Sequence, residues 1–157
     1  LDVAIAGDAE PLTVLERDWV RAARRESDPT RRLVRVVRHT TEIAARTAPI
    51  KEVIRDAAAT ESSMRDLLHR DDERRRLTQR ALVDMILADR PPSGPAVARQ
   101  AADTFSALVT SDAYTLVVVR LGWSMAGWRR WLVRILQREI LGGEPAGAPQ
   151  RHPARGG

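Results

Sequence analysis

Apolar residues recur at helical spacing along most of the chain, so the pattern predicts helices nearly throughout. Residues 1–6 read as the end of a helix that stops at Gly7–Asp8, and "EPLT" reads as a loop. A short helix is predicted from about Val14 to Arg25. "SDPT" then restarts the chain, because Asp28 offers a capping carboxylate and Pro29 suits the first helical position. From Thr30 to Thr47 the apolar set is Leu33, Val34, Val36, Val37, Thr40, Ile43 and Ala44. It is wider than one stripe and predicts a helix buried on much of its circumference. Pro49 removes a backbone donor and restricts its predecessor, so a kink or break is expected there, with helix resuming over Ile50–Ala59.

"TESS" marks a joint, and the longest helix is predicted from Met64 to Asp89. Leu77, Ala81 and Met85, like Leu82 and Ile86, repeat one turn apart along it. Its first part, "RDLLHRDDERRR", sets Asp66, Asp71 and Asp72 one turn before Arg70, Arg75 and Arg76. That pattern predicts a solvated face paired with itself. "RPPSGP" breaks the chain before a helix from about Ala96 to Val109, with Ala98, Ala101, Ala102, Phe105, Leu108 and Val109 on one side. The segment Asp112–Leu121 is ambiguous, because "VVV" favours a strand. A single strand among helices has nothing to pair with, so helix is the better reading. Ser124 caps the last helix, in which Trp128, Trp131, Leu132, Ile135, Leu136 and Ile140 share a face. Arg129, Arg130, Arg134 and Arg138 lie largely opposite, Gly142–Gly143 end the helix, and the Pro- and Gly-rich residues 143–157 read as a disordered tail.

These elements predict an all-α protein of one domain, since 157 residues suffice for a real core. No apolar run reaches the roughly 20 residues of a membrane helix. With no cysteine there is no disulfide or thiol chemistry, and a cytoplasmic location is expected. Lys51 is the sole lysine, and the net charge of +5 is spread among interspersed arginines rather than gathered into a basic block. The chain opens without methionine on "LDVAIAGD", so a longer natural protein is expected.

No phosphate-binding glycine loop and no nucleophile–histidine–acid set is evident, so an enzyme is not expected, nor a cofactor. His69 with Asp72 and Glu73 has one-turn spacing, but a metal site needs three or four protein ligands and no second cluster supplies them. His39 sits in an apolar helix beside Thr40, Thr41 and Glu42. It is either a satisfied boundary histidine or a polar group that orients an apolar guest. Trp19, Met64, Met85 and Phe105 fill a core or line a cavity, and periodicity does not separate the two. Three of the four tryptophans, Trp123, Trp128 and Trp131, crowd into "LGWSMAGWRRWLVRIL".

The stretch "ARQAADTFSALVTSDAYTLVVVRLGWSMAGWRRWLVRIL" resembles the ligand-binding domain of TetR/AcrR-type transcriptional regulators. Ala101–Thr104, the turn from Ser111 to Tyr114, Gly122–Ser124, Trp128 and Trp131–Leu132 carry the likeness. Arg46–Pro49 resembles the start of that family's middle helix, and "LDVAIAGD" the end of its linking helix. Two departures are Ser106, where many relatives have Trp, and Trp128, where many have Tyr. The resemblance implies an antiparallel helical bundle in which residues 1–8 end the linking helix and residues 9–142 bind the effector and dimerise. It implies a homodimer, a small and largely apolar effector, and operator DNA bound through an N-terminal helix-turn-helix domain absent from this chain. A repressor released by its ligand is the expected function, and a free-standing helical dimerisation or interaction module is the alternative. The candidate pocket residues are Trp19, His39, Thr40, Ile43, Met64, Met85, Phe105 and Trp123. The candidate dimer interface is Ala101, Phe105, Leu108, Trp128, Trp131, Leu132, Ile135 and Leu136.

Overall fold

The computed structural model describes residues 13–142. The linking-helix end expected at 1–8 and the tail expected at 143–157 lie outside the described residues. Thr13 and Glu16 close a short 3-10 turn, Val14–Glu16, in which the Thr13 N–H and hydroxyl both donate to Glu16 Oε2 at 2.8 Å. Arg17 is extended, so the helix expected from Val14 begins only at Asp18: α1 is Asp18–Arg25. Then come α2 (Pro29–Ala58), α3 (Ser62–Ile86), α4 (Pro95–Leu108), α5 (Ser111–Tyr114) and α6 (Met125–Leu141). The six helices pack into one bundle, with no strand among the described residues.

Side-chain caps start three of the six helices. Asp28 Oδ1 accepts from Thr30 N at 2.8 Å and Arg31 N at 3.4 Å, with Pro29 in the first turn of α2. The Thr110 hydroxyl accepts from Ala113 N at 2.9 Å, and the Ser124 hydroxyl from Gly127 N at 3.0 Å. Gly142 ends α6 at φ 66°, a left-handed conformation glycine adopts without a Cβ clash.

One expectation is corrected and another is met with a change of winding. The break at Pro49 does not occur: α2 runs unbroken for 30 residues with Pro49 inside it. Pro49 is exposed, so the carbonyl it leaves unpaired one turn earlier is on a side that water reaches. The flanks are also held, by the Thr47 hydroxyl on the Ile43 carbonyl at 2.9 Å and by Lys51 on Asp71 at 2.7 Å. The helix expected over Asp112–Leu121 is present, but its winding changes after α5. Residues Thr115–Arg120 continue it as a π-helix, with Leu121 N donating to Leu116 O at 2.9 Å. The β-branched run is helical because it continues a helix that Thr110 caps and because Val117 and Val118 pack against the core, tertiary contacts that outweigh intrinsic preference.

α2 is the central element and touches α1, α3, α5 and α6, while α4 bridges α3 and α6. The core gathers Val20 and Ala23 from α1, Leu33, Val36, Val37 and Ala44 from α2, and Leu82, Val83 and Ile86 from α3. Ala101 and Phe105 of α4 meet Trp128, Leu132, Leu136 and Ile140 of α6. These last four repeat every fourth residue, which is one stripe of a helix. Buried Arg32 closes the bundle at one end: its guanidinium donates to the Met85 carbonyl at 2.8 Å, to the Glu26 carbonyl at 2.6 Å and to Asp89 at 2.7 Å. It thereby satisfies carbonyls at the C-terminal end of α3, where a cation is favourable.

The first half of α3 is less self-contained than its charge pattern predicts. Asp71 turns inward, only 4% exposed, and pairs with Lys51 of α2. Arg75 donates to Gln79 Oε1 at 2.8 Å and to the Ser106 carbonyl at 3.2 Å on α4.

Candidate functional site

The structure divides the eight candidate pocket residues among several places. Trp19 of α1 stacks on His39 of α2, with ring centroids 4.8 Å apart and planes 16° from parallel. Thr40 is buried, but its hydroxyl is spent on its own helix, donating to the Val36 carbonyl at 2.7 Å. Ile43 is half-buried one turn further along. Met64 and Met85 sit near opposite ends of α3, about 30 Å apart at the rise of an α-helix. Phe105 is fully buried in the core, and Trp123 is 43% exposed beyond the π segment. These side chains do not close around one small cavity. A shallow depression of about 610 Å³ opens instead on the outer side of α4, lined by Pro95, Ala96, Arg99, Gln100, Asp103 and Thr104, none of them a candidate.

The candidate interface divides by depth. Ala101, Phe105, Trp128, Leu132 and Leu136 are already buried within the single chain, so a partner cannot touch them in this conformation. Leu108, Trp131 and Ile135 are half-buried at the edge of the core. Trp131 meets Trp123 edge-on, with centroids 6.2 Å apart. The segment leading to Trp123 carries apolar exposure that sequence reasoning missed: Leu116 is 52% exposed, and Val119 and Leu121 are each 62% exposed. The signal was present in "LVVVRL", because a helix apolar on all sides needs cover on all sides and α5 has neighbours on only some. Gly122, at φ 72°, turns the chain from this segment toward α6.

One polar node joins three helices. Arg129 of α6 donates from Nε to the Thr41 hydroxyl at 2.9 Å and from Nη2 to Glu42 Oε1 at 3.1 Å. The Thr41 hydroxyl in turn donates to the Arg38 carbonyl at 2.8 Å. His39 Nδ1 lies 3.6 Å from Glu42 Oε2, too long for a hydrogen bond. Burial holds the His39 pKa below its ordinary value; Glu42 opposes that shift, and Arg38, Arg35 and Arg129 add to it. His39 is therefore neutral near pH 7, with Trp19 covering one ring face.

Among the described residues no group of three or more histidine, cysteine or acidic side chains is placed to hold a metal. His69 is exposed, 3.6 Å from Glu73, on the outer side of α3. No helix among the described residues is long and apolar enough to cross a membrane. Comparison with protein-family models, with curated proteins and with solved structures found no match to this chain.

Proposed function

We propose that the chain is the effector-binding and dimerisation part of a TetR-type transcriptional regulator, a cytoplasmic repressor that meets operator DNA through a segment preceding Leu1. The observation that carries the reading is the run of exposed apolar side chains Leu116, Val119, Leu121 and Trp123 on the π segment and the turn that follows it, the last of them packed edge-on against Trp131 of α6. Clustered apolar surface of this kind marks a contact site on a soluble domain. Two copies meeting through it bring α5 and α6 of each chain together, as the resemblance of residues 101–136 implies. The all-helical bundle, with its cap at Ser124 and glycine turn at Gly122, supports the same reading. Light scattering at micromolar concentration is expected to give twice the chain mass. Val119→Asp, which places a charge on an exposed site away from the core, is expected to give the single-chain mass with unchanged helix content. A wild-type monomer sinks the proposal for this strip.

The regulator reading is separable from the dimer. Extended by its encoded N-terminal segment, the protein is expected to retard duplex DNA from its own promoter region, and an apolar ligand is expected to release it. Two recognition helices must match half-sites about one turn apart, so a small change in their separation suffices. The scatter of the pocket candidates favours one second reading, a helical dimerisation module that senses nothing. A thermal-shift screen of small apolar compounds distinguishes the two, because a bound effector raises the melting temperature by mass action and a module without a site shows no rise.

A further inference from the structure

We propose that the turn His39–Glu42 of α2 is a proton-sensitive joint that links α1 to α6. The inference stands on geometry and does not rest on the regulator reading. Three elements converge on this single turn. From α1 comes the uncharged indole of Trp19, stacked on His39. From α6 comes Arg129, bonded to Thr41 and Glu42. α2 itself supplies Glu42, Arg35 and Arg38, the last with its Nε 3.6 Å from Glu42 Oε1. The carboxylate is shared, with Oε1 facing the two arginines and Oε2 facing His39.

Adding a proton to His39 changes both contacts. Nδ1–H becomes a charged donor and draws Oε2 from 3.6 Å toward the roughly 2.8 Å of a charge-assisted hydrogen bond. The carboxylate swings away from Arg129 as it does so, which loosens α6 at Thr41 and Glu42. The new imidazolium also lies against the Trp19 indole, where a stacked cation quenches fluorescence. The sign follows from the surroundings: burial and three arginines favour the neutral ring, and one carboxylate opposes them. The folded chain therefore holds His39 neutral below the ordinary pKa of 6.5. The stability this confers is present above that value and is lost as pH falls through the lower, folded one.

The test uses the 157-residue chain, titrated from pH 8 to pH 4.5. Trp19 emission is read as the difference between wild type and Trp19→Phe, and the His39 ring and the Arg129 Nε–H are followed by NMR. Trp19 emission is expected to fall and the Arg129 signal to shift, both with the His39 midpoint, which lies below the ordinary histidine value. Glu42→Gln moves that midpoint lower and Arg129→Gln moves it higher. His39→Gln abolishes both responses while circular dichroism shows the helices intact. The proposal is overturned if His39 titrates while the Trp19 and Arg129 signals stay flat. It is equally overturned if either response persists with the same midpoint in His39→Gln. If His39→Gln does not fold, the opposite midpoint shifts of Glu42→Gln and Arg129→Gln decide, and unmoved midpoints overturn it.

Discussion

Leu132 and Trp131 are neighbours in sequence on α6, yet they face different surroundings. Leu132 is fully buried against the core, whereas Trp131 is half-buried beside exposed Trp123. Truncating Leu132 to Ala removes buried methyl groups and leaves a cavity, at an expected cost of about 2–5 kcal/mol in urea unfolding. Trp131→Ala is expected to cost less folding stability and to weaken self-association more, when the two variants are compared by unfolding and by light scattering. The reverse ranking would mean that Trp131 is core and the strip beside it is unused. Six apolar residues of α6, Trp128, Trp131, Leu132, Ile135, Leu136 and Ile140, were legible in the sequence as one face. Which of them the chain covers itself was not, because periodicity gives a direction on the helix and not the identity of the neighbouring layer.

At the level of elements, the devices that start and stop helices were readable because they act locally. Asp28, Ser124 and Gly142 each do what their chemistry predicts. Pro49 and the π segment were not readable, because neighbours decide both. Lys51 and Asp71 show how α2 is held past its proline: a pair 2.7 Å apart, both side chains at most 10% exposed, crosses from α2 to α3. Such a pair contributes little net stability, but losing Lys51 leaves the buried Asp71 carboxylate only the longer contact to Arg74 at 3.4 Å. Lys51→Met is therefore expected to destabilise the domain by about 3–5 kcal/mol, and Lys51→Met with Asp71→Leu to recover most of that loss. Equal unfolding midpoints for the single and double variants would contradict this account. Gly122 gives a second element-level expectation. No atom crowds a Cβ built there, but its φ of 72° is unfavourable for any residue with one. Gly122→Ala is expected to cost about 1–2 kcal/mol from backbone conformation alone. No measurable loss would mean that the turn between the π segment and α6 adjusts freely.

On the scale of the whole molecule, the charge beside the proposed dimer surface predicts a salt effect with a definite sign. The chain carries +5 overall. On α6, Arg134 and Arg138 follow Trp131 by one and two helical turns, so, contrary to the expectation that they lie opposite, they flank the Trp131–Ile135 edge of the apolar face. Arg130 and Arg134 are exposed and have no carboxylate partner among the described residues, while Arg138 is paired with Glu139 at 2.9 Å. A two-fold pairing of identical surfaces brings like charges toward one another while it buries the apolar strip. In the proposed dimer, hydrophobic contact favours association and arginine repulsion opposes it. Sodium chloride shortens the screening length from about 10 Å at 0.1 M to about 3 Å at 1 M, which weakens the repulsion and leaves the apolar term in place. The dimer is therefore expected to tighten with added salt in sedimentation equilibrium. Replacing Arg134 by Gln is expected to tighten it at low salt and to flatten the salt response. An association that salt loosens would place carboxylates, not arginines, opposite this face, and would point to an acidic partner in place of a second copy.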